Sequence, residues 1–164
     1  MSVAVRRAAP RLTESELAAW RGMLRAHAAL LKTLDGELEQ AHGVTLSSFE
    51  VLLALHGAPE RRMRMFDLAA SVLLSRSGLT RLVDRLERES LVARDSCEQD
   101  ARGSFAVLTD AGEQKLLAAR VTHLEGVRRH FLAKFSAAEL DILGSLLGRL
   151  VGGPVAGGAC CGPG

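Results

Sequence analysis

The chain has 164 residues, enough for one domain and too few for a separate catalytic domain beside it. Hydrophobic residues make up 48% of it, but aromatic residues only 4% and tyrosine is absent, so the core must be aliphatic, which favours packed helices over sheets. The net charge of +2 is too small to indicate nucleic-acid binding by itself.

The distribution of arginine is more informative than the net charge. Arginine outnumbers lysine 18 to 3, an excess that a G+C-rich genome can produce without any function. Nine of the 18 arginines, however, fall between Arg61 and Arg102. A phosphate-binding surface is therefore expected in that region.

The two ends of the chain have the composition of disordered segments. Residues 1–12 form a short basic tail and residues 152–164 a glycine-rich tail, and neither has enough apolar surface to bury. The chain contains no run of about 18 apolar residues and no signal-peptide core, which predicts a cytoplasmic protein. In that compartment Cys97, Cys160 and Cys161 should be reduced thiols rather than a disulfide framework.

A long first helix is predicted after the basic tail. Thr13 and Glu16 have the spacing of a capping box, in which each side chain bonds to the other residue's backbone N–H. The helix ends at His42-Gly43, and its apolar stripe follows a heptad pattern: Leu17, Leu24, Leu31 and Leu38 in one position, and Trp20, His27, Leu34 and Ala41 in the other. Either the stripe faces this chain's own core, or the helix is shared between two subunits.

Shorter helices are predicted in the middle of the chain. Ser47-Ser48-Phe49-Glu50 has the pattern of a capping box that opens a helix through "VLLALH". The segment "RRMRM" is brief and compatible with extended backbone, and "FDLAASVLL" supplies about two to three helical turns. Ser75 then caps a helix whose apolar residues recur with the helical period: Leu79, Leu82, Val83 and Leu86.

The pattern changes to short β-type runs from Leu91 onward. "LVARDS" and "SFAVLT" are separated by the polar segment "CEQDARG", which predicts a two-stranded hairpin. Thr109 caps a second long helix, and a capping box formed by Ser136 and Glu139 starts the final one. Two helices joined by a tight turn and followed by a hairpin form a winged helix-turn-helix, in which a helix enters the major groove and the hairpin reaches the backbone or the minor groove.

The chain resembles the MarR (multiple antibiotic resistance regulator) family of bacterial transcription factors. The family's wing signature is matched by Asp100, Arg102, Leu108, Thr109 and Gly112 at the family's spacing, and "LSRSGLTRLVDRLERESLV" is similar to its recognition helix and first wing strand. The resemblance covers about residues 12 to 151. It implies a mainly α protein with a small β-hairpin wing, a winged helix-turn-helix flanked by long N- and C-terminal dimerisation helices.

The resemblance implies which residues contact DNA. Arg102 would contact the minor groove or backbone, with Asp100 orienting it; the alternative is a surface salt bridge between the two. The recognition helix would present Ser75, Arg76, Ser77, Thr80, Arg81 and Arg85. For its three arginines the alternative is an ordinary solvated helix face, since Asp84, Glu87 and Glu89 offset their charge.

The resemblance also implies a homodimer. Residues 13–151 would form a single domain, in which 13–42 and 110–151 supply the dimerisation helices and 47–109 the DNA-binding lobe. Two-fold symmetry then predicts an operator that is an inverted repeat in double-stranded DNA.

Three positions depart from the common family pattern. Phe66 stands where a polar residue often caps the first helix of the helix-turn-helix motif, at a cost of about 1 kcal/mol. Ala101 replaces a frequent second wing arginine and so removes one possible phosphate contact, and Ser90 replaces the glycine that usually ends the recognition helix. Modest DNA affinity is expected in consequence.

Family members release DNA when a small aromatic or phenolic ligand binds, or when a cysteine is oxidised. Trp20, His27 and His56 could line such a ligand pocket; alternatively, Trp20 and His27 simply pack at a helix interface. Cys97 is close in sequence to Arg94 and Arg102, which favour a reactive thiolate, although nearby acidic residues oppose that effect.

No metal or cofactor is predicted. Cys160 and Cys161 could bind a metal, but two ligands do not complete a zinc site, so an unstructured passenger role in the tail is favoured. His123 and His130 are too far apart, about 10 Å along a helix, to bind one ion by themselves.

Two rival functions remain. No catalytic motif is present, so the chain is not expected to be an enzyme. A winged helix that binds protein instead of DNA is the other rival, because one fold can serve both functions. The favoured interpretation is a dimeric DNA-binding transcriptional regulator that acts as a repressor and is released from its operator by a small ligand. Redox sensing through Cys97 is an alternative.

Overall fold

The computed structural model describes residues 11–72, 74–96 and 104–151. Six α-helices and three β-strands lie in this part of the chain. In chain order they are α1 (Glu14–His42), α2 (Leu46–Gly57), β1 (Arg62–Arg64), α3 (Met65–Ser71), α4 (Arg76–Arg88), β2 (Val92–Ser96), β3 (Ser104–Leu108), α5 (Asp110–His130) and α6 (Ala137–Leu150). The predicted fold class is confirmed: α3 and α4 form a helix-turn-helix next to a small sheet, between long helices.

Helix ends follow local hydrogen bonding, and four predicted caps are confirmed. Thr13 and Ser136 form complete capping boxes with Glu16 and Glu139. The hydroxyls of Ser75 and Thr109 accept hydrogen bonds from the third residue beyond each, at 3.1 and 3.0 Å. These bonds span only three residues, which is why the sequence pattern could predict them.

The predicted start of α2 is wrong. The N-cap is Thr45 and not Ser47: its hydroxyl accepts from the backbone N–H of Ser48, and the helix begins at Leu46. A second donor of the first turn of α2, the N–H of Leu46, bonds the Asp35 carboxylate of α1 at 2.6 Å. That bond joins two helices, so no pattern within "TLSSFE" could have revealed it.

The sheet has three strands rather than the predicted two. β3 pairs antiparallel with β2 on one side and with β1 on the other, in the order β1-β3-β2. Arg62, Met63 and Arg64 lie opposite Val107, Ala106 and Phe105. The segment "RRMRM" is thus extended, as its sequence allowed, but its pairing partner is far along the chain and was not predictable from local pattern.

The core is aliphatic, as the composition predicted. Its fully buried side chains include Leu38 of α1, Leu52 of α2, Val83 of α4 and Leu116 of α5. Phe49 is the large aromatic residue among them, and its ring lies 4.7 Å from that of His123, whose pKa is lowered because burial disfavours the charged imidazole. Helices α3 and α4 are therefore held against α1 and α5 by one continuous core.

No helix among the described residues combines the length and the apolar character that spanning a membrane requires. The predicted tails, residues 1–12 and 152–164, fall outside the described residues except for Arg11 and Leu12.

Helix α4 ends in a left-handed turn at Ser90. The N–H of Leu91 bonds the carbonyl of Leu86, and the N–H of Ser90 bonds that of Glu87, both at 2.9 Å, which is the Schellman pattern. Ser90 therefore occupies the position that glycine usually takes, with φ at +60°. Its side chain adds strain that glycine would not have.

We expect Ser90→Gly to raise the free energy of unfolding by about 0.5–1 kcal/mol, because relief of the left-handed strain exceeds the extra backbone entropy of glycine. Urea denaturation measures the change. Ser145→Gly, in the exposed middle of α6, is the matched control and should lower stability by about 0.5 kcal/mol. A destabilised Ser90→Gly variant would contradict the strain assigned to this turn.

Candidate nucleic-acid interface

One face of α4 is held in the core while the other is exposed. Leu79, Val83 and Leu86 are buried at the helical spacing and fix the rotation of the helix. The exposed residues of its first turns, together with the cap, are five of the six predicted DNA-facing residues: Ser75, Arg76, Ser77, Thr80 and Arg81. The structure brings these five together on one surface.

The charge along α4 is segregated by position. Its first turn contains no acidic residue, and Arg76 and Arg81 lie in the N-terminal half, close to the positive end of the helix dipole. The acidic residues Asp84, Glu87 and Glu89 follow toward the C-terminal end. Because carboxylates accompany Arg85 and Arg88 at the C-terminal end, the positive charge without acidic neighbours lies at the end that a recognition helix directs toward bases.

The acidic residues of α4 are engaged by other cations. Arg94 of β2 bonds the carboxylate of Asp84, and its Nε lies 3.6 Å from that of Glu87. Among the residues that the structure describes, neither Arg76 nor Arg81 forms an ion pair with a carboxylate. These carboxylates therefore do not pair directly with Arg76 or Arg81, and their contacts with Arg94 fasten strand β2 to α4.

The sixth predicted residue, Arg85, is bonded within the protein. Its Nη2 donates to the hydroxyls of Thr45, at 3.0 Å, and of buried Ser48, and its Nε lies 3.9 Å from Glu89. Arg85 therefore ties the recognition helix to the first turn of α2. Sequence reasoning missed this contact; the available signal was its position beside Leu82 and Leu86, at the edge of the buried face.

The second half of the wing signature joins the wing to α5. The Thr109 hydroxyl accepts from the N–H of Gly112 and lies within hydrogen-bond distance of the carbonyls of Ser90, at 2.7 Å, and Leu91, at 3.0 Å. A β-carbon at Gly112 would collide with the Leu91 carbonyl and lie 2.8 Å from Cδ1 of Leu108. These two residues therefore set how closely α5 approaches the end of the recognition helix.

The first half of the signature lies outside the described residues. Asp100, Ala101 and Arg102 fall there, as do Cys97, Cys160 and Cys161. The DNA contact assigned to Arg102, the bracing by Asp100 and the redox role of Cys97 accordingly stay predictions. The strands that precede and follow this segment are described, and their last pair is Ser96 with Ser104.

In the part of the chain that the structure describes, the three candidate ligand-binding residues do not line one common cavity. His27 lines an apolar cavity of about 720 Å³ between α1, Phe131, Phe135 and α6. Trp20 is 51% exposed on α1 and is not part of that lining. His56 lies at the end of α2, where its Nδ1 is 3.3 Å from Glu113, which also pairs with Arg61 at 2.7 Å.

Within the described ranges, no group of three or more His, Cys, Asp or Glu side chains is placed to hold a metal ion. His130 instead bonds the Glu37 carboxylate at 2.8 Å, and His123 packs against Phe49.

Known proteins of similar sequence and fold show the family to which this arrangement belongs. A sequence model of the MarR family matches residues 42–103. The solved structure of AbsC, a MarR family transcriptional regulator from Streptomyces coelicolor, shares 35% identity, with a TM-score of 0.81, over 87% of this chain and 96% of AbsC.

Two further solved structures come from the same organism. Sco3205, a MarR family transcriptional regulator in complex with DNA, shares 33% identity at a TM-score of 0.81, over 87% of this chain and 92% of its own. The PcaV transcriptional regulator, in complex with its natural ligand, shares 27% identity at a TM-score of 0.67, over 89% of this chain and 98% of its own.

Proposed function

Since the chain belongs to the MarR family of transcriptional regulators, we propose that it is a homodimeric, sequence-specific DNA-binding protein that occupies an inverted-repeat operator. It acts as a repressor in the cytoplasm and leaves the operator when a small molecule binds. The observation that carries the proposal is the exposed N-terminal face of α4, where Arg76 and Arg81 face solvent while nearby carboxylates bond Arg94.

Arginine suits the proposed contacts chemically. Its planar guanidinium can bond both O6 and N7 of a guanine in the major groove, and its charge also suits phosphate. The recognition-helix contacts proposed are those of Ser75, Arg76, Ser77, Thr80 and Arg81. Arg85 bonds Thr45 and Ser48 at the start of α2. We therefore propose that it fixes the position of α4 against α2 and also adds positive charge.

Unburied apolar surface supports the homodimer. In α6, Ile142 is 60% exposed and Leu150 70%, and in α1, Trp20 is 51% and Leu24 46% exposed. Contiguous apolar surface on two helices of one chain marks an association site, because water contact with it is unfavourable. A two-fold dimer through these helices would set two recognition helices about 34 Å apart, one turn of DNA.

The small-molecule part of the proposal is supported by the cavity beside His27. Its other lining residues are apolar or glycine, which suits an aromatic ligand, and His27 supplies one polar contact. The PcaV structure contains a natural ligand, so a relative of this fold binds one. Because the cavity adjoins the proposed dimer faces of α1 and α6, a ligand there would act by changing how two subunits meet.

The proposal is tested by binding of the purified protein to the DNA upstream of its own gene. We expect a discrete complex whose affinity falls steeply with salt, because each neutralised phosphate releases a counterion. No binding, or binding that does not change with salt, would contradict DNA recognition and favour the rival function of a protein-binding winged helix. Loss of operator binding on oxidation, prevented by Cys97→Ser, would favour the redox alternative over a ligand.

The division of roles among arginines gives a further prediction. Arg102→Ala should weaken binding to every sequence, whereas Arg76→Ala or Arg81→Ala should reduce discrimination at particular base pairs by about 5- to 150-fold. Selection from a randomised operator library measures both effects. Arg128→Ala, an exposed arginine of α5, is the control and should change neither. Equal losses on all sequences for all three variants would show that the roles are wrongly divided.

A further inference from the structure

Phe66 is a large apolar side chain exposed beside the recognition helix. It is the second residue of α3, and it is 61% exposed. The structure places the N-cap of α3 at Arg64, which makes no side-chain cap bond, so Phe66 is not a failed cap residue. Its ring is also not required by the core, since most of its surface remains in solvent.

The Phe66 ring lies against Arg76. The Cζ atom of Arg76 is 4.9 Å from the ring centroid, within the range of a cation–π contact. Ring and guanidinium line a shallow cavity of about 400 Å³ together with Met65, Leu79 and Thr80. The cavity therefore lies between α3 and α4 and includes two of the residues proposed to face DNA.

The backbone around Arg76 is held firmly, but its side chain has few restraints. The Thr80 hydroxyl donates to the Arg76 carbonyl at 2.9 Å, and Leu79 is 1% exposed, so this turn of α4 is anchored. No carboxylate within the described ranges pairs with the guanidinium. The ring of Phe66 is thus the contact that limits where the long Arg76 side chain points.

A guanidinium that stacks parallel to an aromatic ring keeps its hydrogen-bonding edge available. The five N–H groups of arginine lie in the guanidinium plane, whereas a cation–π contact uses its charge against the π-face of the ring. A guanine presents O6 and N7 side by side, and two coplanar N–H groups match them only in one orientation. Restricting that orientation before binding reduces the entropy lost on contact.

We propose that Phe66 is a positioning residue that orients Arg76 for bidentate recognition of a guanine in the major groove. This inference rests on the proposed function, and it adds a specificity determinant on α3, outside the recognition helix. Phe66 need not contact the guanine itself. A phosphate contact by Arg76 would be the alternative, and it would require no fixed orientation, because a phosphate can be approached from many directions.

The test compares Phe66→Leu with Phe66→Tyr. First, Arg76→Ala identifies the operator base pair at which preference for guanine is lost. Duplexes with and without guanine at that position are then titrated against each variant by fluorescence anisotropy. We expect Phe66→Leu to lower the guanine preference about two- to fivefold and Phe66→Tyr, which keeps the aromatic face, to retain it. In an Arg76→Ala background, Phe66→Leu should cause no further loss of preference.

Phe105→Leu is the matched control. The Cζ atoms of Arg62 and Arg64 lie 4.2 and 4.8 Å from the centroid of the Phe105 ring in β3. The substitution therefore removes the same kind of cation–π contact, but away from Arg76. We expect it to leave the guanine preference unchanged, whatever it does to stability. Thermal unfolding of each variant shows whether it is folded, and the exposure of Phe66 predicts little effect there.

The possible results separate this inference from the function on which it rests. A wild-type protein without sequence preference would contradict the proposed function, and this inference with it. A wild type that prefers its operator, together with a Phe66→Leu variant of unchanged guanine preference, would overturn the inference alone. An equal loss on both duplexes would also overturn it, since that result indicates a phosphate or general apolar contact.

Discussion

Leu147→Glu is expected to convert the protein from dimer to monomer and to weaken binding to the full inverted repeat by about a hundredfold or more. Leu147 lies in α6, 37% exposed, and lines the apolar cavity that includes His27. A carboxylate buried in such an interface without a partner costs several kcal/mol. A monomer would also lose the second half-site contact, which otherwise forms at high effective concentration.

Sedimentation velocity measures the oligomeric state, and titration of full and half operators measures the affinity. Ser145→Glu adds the same charge to an exposed position of α6 outside the apolar stripe, and should stay dimeric with full affinity. The affinity of Leu147→Glu for a single half-site should equal that of one wild-type subunit. This result would show that the winged helix of the variant is folded. A dimeric Leu147→Glu protein with unchanged affinity would contradict the assignment of α6 to the interface.

Gly112→Ala is expected to lower the free energy of unfolding by about 3 kcal/mol. The new methyl group would meet the Leu91 carbonyl and Cδ1 of Leu108, and neither is free to move, because Leu91 closes the turn after α4 and Leu108 is buried. Relief of the collision would displace α5 and break the bonds of Thr109. Urea denaturation followed by circular dichroism measures the loss.

Gly36→Ala is the matched control, because the same methyl group on α1 would meet nothing within 4 Å. Helix propensity alone then predicts a gain of about 0.5–1 kcal/mol. If Gly112→Ala were as stable as wild type, the close approach of α5 to the Leu91 turn would not be the constraint inferred here. Equal destabilisation by both substitutions would equally contradict it.

Much of the fold could be predicted because its signals are local. The caps Thr13, Ser75, Thr109 and Ser136 act across three residues, so their sequence context contains the whole interaction. The helical period likewise identified the buried face of α4 before its surroundings were known. The resemblance to the family marked Ser90 as standing where glycine is usual, and the structure shows its left-handed conformation.

One error is local, and the others arise where residues distant in sequence meet. The start of α2 was misplaced although its cap is local, because Thr45 and not Ser47 accepts from the N–H of Ser48; the bond from the N–H of Leu46 to Asp35 joins separate helices. β1 pairs with β3, and a strand of three residues gives too weak a pattern to indicate a partner. Hydrogen bonding between separate segments depends on how the core assembles, and a local window contains no information about that.

The sequence by itself determined where four of the helices start, which face of α4 is exposed and which family the chain resembles, because these depend on short-range periodicity and on a spaced motif. Only the tertiary structure decided the pairing of the charged and aromatic side chains. It bonds Arg85 to Thr45 and Ser48, joins Arg94 to Asp84, and sets Phe66 against Arg76. A charge pattern identifies which groups need partners, but distances across packed elements select the partner.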